Sequence, residues 1–125
     1  MAYLQVVLIV DDSRLIVERL IALLNEQHYV KEVLISHSYE DAIKLIDLNS
    51  DIDTFILDVK LPGKSGLDIL QYLKAKDYEA KNIIVLTDAP SKELMERCLT
   101  LGAHHFLNKF SEFEKIPELI KNNSR

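Results

Sequence analysis

The stretch VVLIVDDS, residues 6–13, places two adjacent carboxylates directly after five consecutive apolar side chains. A run of five apolar residues is too short to cross a membrane and predicts a buried strand. Asp11 and Asp12 repel each other at the end of that strand and gain nothing from a hydrophobic core. Either solvent screens both charges, or a cation is bound beside them.

The size and composition of the chain predict one domain that spans residues 1–125, with 48% hydrophobic and 28% charged residues. The net charge of −5 argues against direct nucleic-acid binding, which needs a basic face. The single Cys98 cannot form an internal disulfide. No apolar segment approaches the roughly 20 residues of a membrane-spanning helix, and no secretory signal is evident. We therefore expect a cytoplasmic protein without a membrane partner.

Apolar runs alternate with amphipathic helical patterns along the chain. The runs predict strands at residues 6–10, 33–36, 54–57, 83–86 and 105–107, each followed by a helix. Because proline is tolerated only in the first turn of a helix, Pro117 predicts that the last helix begins close to it, after an irregular turn at 111–115. Five buried strands and five helices predict an α/β fold, a parallel sheet with helices on both faces.

Polar side chains follow four of these strands. They are Asp11 and Asp12 after the first strand, Asp58 after the third, Thr87 after the fourth and Lys109 after the fifth. Since parallel strands end at one edge of the sheet, these side chains are expected to converge there. Three close carboxylates need a counter-charge, and Mg²⁺ suits a site with few carboxylates. A lysine and a hydroxyl beside a metal can bind phosphoryl oxygens.

The chain resembles the receiver domain of bacterial two-component response regulators. The resemblance covers residues 4 to 120, and four motifs carry it: LIVDDS (8–13), LDVKLPGKSG (57–66), VLTDA (85–89) and FLNK (106–109). Each motif alone is unspecific, whereas all four in this order, each at a strand end, are specific. The resemblance implies a flavodoxin-like, doubly wound five-stranded sheet with the strand order 2-1-3-4-5.

The resemblance also implies a phosphoacceptor and a metal site. Asp58 is expected to take a phosphoryl group from a sensor histidine kinase or a phosphotransfer protein. Asp12 and Asp58, with the main-chain carbonyl of Lys60, are expected to bind Mg²⁺ directly, and Asp11 to act through a metal-bound water. In receiver domains the residue at the position of Lys60 borders the water that attacks the phosphorylated aspartate. The Lys60 side chain could pair there with an acidic neighbour or with the phosphoryl group.

The remaining roles concern the response to phosphorylation. Thr87 and Lys109 are expected to contact the phosphoryl group, and Phe106 has the position of the family's switch aromatic, which turns inward as Thr87 moves. From residue type alone, Thr87 could instead cap the next helix and Phe106 could be a core residue. Phe110 follows Lys109 where the family usually has proline, often after a cis peptide bond. Without proline a cis bond is not expected there, so the sequence leaves the path of the chain into the last helix undetermined.

These features favour a phosphorylation-controlled signalling switch whose surface at residues 88–123 (fourth helix, fifth strand, fifth helix) controls a downstream protein or output domain. The chain would be a stand-alone receiver, a phosphorelay intermediate or one domain of a longer regulator. The alternative is a receiver-like interaction module that is not phosphorylated; the presence of Asp58 and Lys109 argues against it. An enzyme such as a phosphatase or a flavin protein is least favoured, because neither a second general acid nor a cofactor loop is evident. Catalysis is expected only of the protein's own phosphorylation and dephosphorylation.

Overall fold

The structure is a computed structural model that describes residues 4–122. Strands and helices alternate in the order β1 (Gln5–Val10), α1 (Arg14–Asn25), β2 (Val30–Ser36), α2 (Tyr39–Leu48), β3 (Thr54–Asp58), α3 (Gly66–Ala75), β4 (Asn82–Thr87), α4 (Lys92–Thr100), β5 (His105–Asn108) and α5 (Ile116–Lys121). The predicted strands and helices are all present, and each strand is one to three residues longer than predicted. None of the helices within residues 4–122 has the length and apolar character needed to span a bilayer.

The strands form one parallel sheet in the predicted order β2-β1-β3-β4-β5. The chain runs outward from β1 to β2 and then returns to β3 on the other side of β1. This reversal is the place where open α/β sheets bind ligands, beyond the carboxyl ends of the strands. Asp58 pairs with Leu86, and Thr87 pairs with Asn108, so the ends of β3, β4 and β5 lie side by side at that edge.

Helices cover both faces of the sheet, each over its own apolar layer. On one face α1 and α5 pack against the sheet, with Leu20 and Ile116 fully buried beside Ile9. On the other face α2, α3 and α4 pack against it, with Ile46 and Phe55 fully buried. All six residues of β1 are buried. Burial on both faces explains why the first strand reads as a continuous apolar run.

Serine side chains mark the beginnings of α1 to α4. The N-cap residues are Ser13, Ser38, Ser65 and Ser91. The Ser91 hydroxyl accepts a hydrogen bond from the Leu94 N–H at 3.1 Å and so begins α4. Thr87 is therefore not the cap of that helix, and the capping alternative for Thr87 is wrong. Each such cap stabilises a helix by about 1 kcal/mol.

The last helix begins as the position of Pro117 predicted. A single turn of 3-10 helix, Phe113–Lys115, precedes α5, and Pro117 lies in the first turn of α5. The chain approaches this helix without a cis peptide bond among residues 4–122. Asn108 organises the approach instead: its Oδ1 accepts hydrogen bonds from the N–H groups of Phe110 and Ser111, both at 3.0 Å. An asparagine turn thus stands where the family usually has proline.

A glycine at the start of α3 lies directly against the backbone of Asp58. A Cβ atom on Gly66 would come 2.2 Å from the main-chain oxygen of Asp58, far inside van der Waals contact. The Gly66 N–H also donates a hydrogen bond to the Val59 oxygen at 2.9 Å. The close approach of these two backbone segments therefore requires glycine at position 66. The start of α3 in turn limits how far the Asp58 backbone can move.

Gly66→Ala is expected to lower the free energy of unfolding by about 1–3 kcal/mol, because the new methyl group must push the Asp58 backbone aside. Urea unfolding followed by far-UV circular dichroism measures this change. Gly63→Ala is the matched control: a Cβ at Gly63 meets no atom within 4 Å, and only the left-handed backbone at φ +80 opposes it. A Gly66→Ala protein as stable as the wild type would show that the contact with Asp58 does not constrain the fold.

Candidate functional site

The side chain of Lys109 joins two buried carboxylates at the carboxyl edge of the sheet. Its Nζ atom lies 3.0 Å from Asp11 Oδ1 and 3.1 Å from Asp58 Oδ2. The relative exposures of Asp11, Asp58 and Lys109 are only 1%, 5% and 7%. Charged groups this deeply buried need direct partners, and a lysine between two carboxylates supplies them. Asp11, Asp58 and Lys109, from three different strand ends, thus lie together at this edge of the sheet.

Nearly every polar atom of Asp11 has a partner. Its N–H donates to the Ser36 oxygen at 3.1 Å, and its carbonyl oxygen lies 2.9 Å from Nδ1 of His37. Its Oδ1 accepts from the Ser13 N–H at 2.8 Å as well as from Lys109. Its Oδ2 is buried, and no hydrogen bond reaches it from the described part of the chain. Asp11 is thus held rigidly with one acceptor atom unsatisfied.

The unsatisfied oxygen belongs to a cluster that can hold a metal ion. Asp11, Asp12 and Asp58 each offer a carboxylate oxygen, and these three oxygens lie within 4.8 Å of one another. Asp12 is exposed to solvent, whereas Asp11 and Asp58 are buried. Three carboxylates with one face open to water fit a hard divalent cation such as Mg²⁺, which keeps several of its waters. The three predicted carboxylate ligands are therefore close enough to act together.

Burial and charge control the protonation of this site. Burial, together with the nearby charge of Asp11, raises the pKa of Asp58 to about 6, although Lys109 and the Lys60 N–H oppose the change. Burial alone would lower the pKa of Lys109, but the two carboxylates outweigh it and raise that pKa above its usual value. The lysine therefore stays charged, and Asp58 is the carboxylate that burial and Asp11 make costly to ionise.

The other predicted residues lie around this centre. Thr87 is buried at the end of β4, and its Oγ1 accepts a hydrogen bond from the Ala89 N–H at 3.1 Å. Phe106 is partly buried and packs against the core on the face of α2, α3 and α4. The side chain of Lys60 is exposed and pairs with Asp88 at 3.8 Å. The sequence left two partners open for the Lys60 side chain, an acidic neighbour and the phosphoryl group. In the structure its partner is the acidic neighbour Asp88.

One histidine lies closer to the carboxylate cluster than its sequence pattern indicated. His37 had no partner at metal-ligand spacing, yet it contacts the main chain of Asp11; its position directly after a strand was the only available signal. Cys98 is fully buried in the core beneath α4, so it is a packed thiol. His104 is exposed, and its Nδ1 accepts a hydrogen bond from the Ile83 N–H at 2.9 Å, while His105 is partly buried.

Asp58→Asn is expected to be more stable than the wild type at neutral pH without metal. Folded Asp58 keeps its proton up to about pH 6, whereas the unfolded chain loses it near pH 4. The folded state thus binds more protons between about pH 4 and pH 6, and wild-type stability falls as the pH rises through that window. The neutral amide removes this effect, so the variant should gain about 2–3 kcal/mol above pH 7, a difference that vanishes below about pH 4.

Urea unfolding in buffer with chelator, repeated from pH 4 to pH 8, measures this dependence. Asp51→Asn is the control, since Asp51 is an exposed aspartate. It should follow the wild type at every pH. Equal stability of Asp58→Asn and wild type at pH 8 would contradict the raised pKa of Asp58.

Comparison with known proteins places this chain in one family. The family model described as "Response regulator receiver domain" matches residues 7–121. The chain is 36% identical over 103 residues to the regulatory protein VanR of Enterococcus faecium, covering 82% of this chain and 42% of VanR. The chain spans about half the length of the curated relatives it matches.

Solved structures agree with this assignment. A signal receiver domain from Vibrio parahaemolyticus has a TM-score of 0.86 at 26% identity, over 96% of this chain and 89% of that one. A response regulator protein from Burkholderia pseudomallei, solved with a phosphorylated aspartic acid, calcium ion and citrate, has a TM-score of 0.80 at 25% identity, over 96% of this chain and 68% of that one. This chain belongs to the response regulator receiver domains.

Proposed function

We propose that this chain is a phosphorylation-controlled switch of a two-component system, with Asp58 as the phosphoacceptor. The observation that carries the proposal is the buried bridge from Lys109 to Asp11 and Asp58, beside an Asp11 oxygen that no hydrogen bond from residues 4–122 reaches. Buried polar atoms in a purely structural cluster are normally hydrogen-bonded, so an unsatisfied acceptor next to two further carboxylates favours a bound cation. The phosphoryl donor is a sensor histidine kinase or a phosphotransfer protein.

The reaction is a direct transfer to the Asp58 carboxylate. One carboxylate oxygen forms a bond to phosphorus as the bond from phosphorus to the donor's imidazole nitrogen breaks. The electron pair of that bond stays on the nitrogen, and the ring leaves as a neutral imidazole because its other nitrogen carries a proton. Asp11, Asp12 and Asp58, with the Lys60 carbonyl, would hold Mg²⁺, which when bound supplies positive charge for the phosphoryl oxygens. Lys109 supplies a second, fixed positive charge against Asp58 Oδ2. Water later hydrolyses the acyl phosphate, so the protein catalyses only reactions of its own side chain.

The Asp58 carboxylate suits this role because its neighbours do not compete with it as nucleophiles. Asp11 is held by the Ser13 N–H and by Lys109. Asp12 lies on the solvent side of the cluster. Asp58 has one oxygen against Lys109 and lies on the wall of a cleft that also includes Lys60 and Asp88. A donor can therefore approach Asp58 from solvent while its counter-charge remains buried.

A phosphoryl group would be sensed through Thr87. Its hydroxyl now accepts from the Ala89 N–H, which leaves its own hydrogen available for a phosphoryl oxygen. Drawing Thr87 toward Asp58 would free space beneath Phe106, which is partly buried, and allow that ring to turn inward. The surface that responds includes α4, β5 and α5, residues 88–123, of which position 123 lies outside the described residues.

The same proposal covers the domain and its partners. Residues 1–125 would form a single receiver domain in the cytoplasm that controls a downstream protein or an output domain through this surface. The net charge of −5 supports a protein partner and not direct contact with nucleic acid. The Burkholderia pseudomallei response regulator, with its phosphorylated aspartic acid and calcium ion, supports both the acceptor chemistry and the choice of a divalent cation.

Incubation with acetyl phosphate and Mg²⁺ tests the proposal. We expect the intact mass to increase by one phosphoryl group in the wild type, and no such adduct without Mg²⁺ or in Asp58→Asn, which lacks the nucleophilic oxygen. Asp51→Asn, with the same change in charge at an exposed aspartate, should be phosphorylated like the wild type. An adduct that persists in Asp58→Asn would assign the acceptor to another residue.

Binding of Mg²⁺ without any adduct calls for a second donor. The purified phosphorylated domain of a histidine kinase then replaces acetyl phosphate. If neither donor phosphorylates the protein, it is an interaction module that has kept the receiver fold. If the protein binds no Mg²⁺, the proposed roles of Asp11 and Asp12 are wrong.

A further inference from the structure

His37 contacts the main chain between the two aspartates of the first strand end. It follows β2 directly, and its Nδ1 atom lies 2.9 Å from the carbonyl oxygen of Asp11. A carbonyl oxygen only accepts hydrogen bonds, so the proton of this contact is on Nδ1 of His37. The preceding residue, Ser36, accepts from the Asp11 N–H at 3.1 Å. The end of β2 therefore holds both the N–H and the carbonyl group of Asp11.

The Asp11 carbonyl belongs to the peptide group that leads into Asp12. A peptide group is planar, so a hydrogen bond that fixes its oxygen also fixes the position of the nitrogen and Cα of the following residue. The contact from His37 therefore orients the Asp12 backbone, although His37 does not touch the Asp12 side chain.

Asp12 depends on its backbone more than the other two carboxylates of the cluster do. Asp11 and Asp58 are buried, and each accepts a hydrogen bond from Lys109. Asp12 is exposed, and no hydrogen bond from residues 4–122 reaches its carboxylate. The local backbone sets the position of the Asp12 Cβ atom, and therefore the region that its carboxylate oxygens can reach beside Asp58.

We propose that His37 is a positioning residue for the metal site, acting through the Asp11–Asp12 peptide group. The inference rests on the proposed function, since it assigns His37 a part in the divalent-cation binding proposed above. Groups that orient metal ligands typically contribute ten- to a hundredfold to metal affinity. His37 acts on only one of the proposed ligands, so the effect of losing it should be near the lower end of that range.

The test compares His37→Leu with His37→Asn. Leucine removes the donor, whereas the asparagine side chain can place an amide N–H near the position of the imidazole Nδ1. His28→Leu is the matched control, because His28 is also exposed but precedes β2 and so lies at the opposite end of the sheet. Because His37 is exposed, its replacement removes little buried surface; urea unfolding verifies that each variant is folded.

The first measurement is binding of Mn²⁺ alone, followed by the loss of the free-ion signal in electron paramagnetic resonance. His37→Leu should weaken Mn²⁺ binding about tenfold, whereas His37→Asn and His28→Leu should stay within about twofold of the wild type. The second measurement is the rate of phosphorylation by acetyl phosphate against Mg²⁺ concentration. His37→Leu should need more Mg²⁺ for half its maximal rate and reach the wild-type rate at saturation, a separation that a general loss of stability would not produce.

The outcomes separate this inference from the function on which it rests. Wild-type Mn²⁺ affinity in folded His37→Leu overturns the role of His37 and leaves the proposed function intact. Weakened affinity that His37→Asn does not restore also overturns it, because the hydrogen bond would then not be the cause. Absence of both metal binding and phosphorylation in the wild type overturns the proposed function itself.

Discussion

One ammonium group, that of Lys109, allows two carboxylates to be buried at the edge of the sheet. Without it Asp11 and Asp58 would face each other inside the protein with no counter-charge, which costs several kcal/mol per ion. The neutralisation is incomplete: three carboxylates and one ammonium leave a net charge of −2 when all are ionised. The fold thus keeps a local instability that a divalent cation relieves, a common property of functional sites.

The parallel sheet makes this arrangement possible, because it joins distant parts of the chain at one edge. Asp11 and Lys109 are separated by 98 positions, yet their side chains are hydrogen-bonded. Burial of β1, β3 and β4 on both faces fixes the depth at which each strand ends. Gly66 adds a further constraint on the position of Asp58, because α3 begins in direct contact with the Asp58 backbone. The charged groups therefore have little freedom to move apart and relieve their repulsion.

Sequence reasoning succeeded where the signal is local and failed where it depends on a contact between distant segments. An apolar run followed by a charge identifies a strand end, so Asp11, Asp58 and Lys109 could be predicted. His37 could not, because it acts on a carbonyl group that every residue has. The role of Gly66 was also hidden: in a Pro- and Gly-containing loop it indicates a turn, whereas the structure requires it for a close approach.

The helices that flank the site differ in how firmly they are held, and this difference limits how a charge on Asp58 could be transmitted. Two side chains from the sheet end opposite the site hold carbonyl groups of α5: Gln5 donates to the Ile120 oxygen and Tyr29 to the Pro117 oxygen. In α4 only Cys98 is fully buried, and the Thr100 oxygen at its end accepts a hydrogen bond from the exposed side chain of Lys74. A helix held by one buried side chain and an exposed hydrogen bond moves at lower cost than one held by more deeply buried long-range hydrogen bonds. Motion that begins at the end of β4 should therefore displace α4 before it displaces α5.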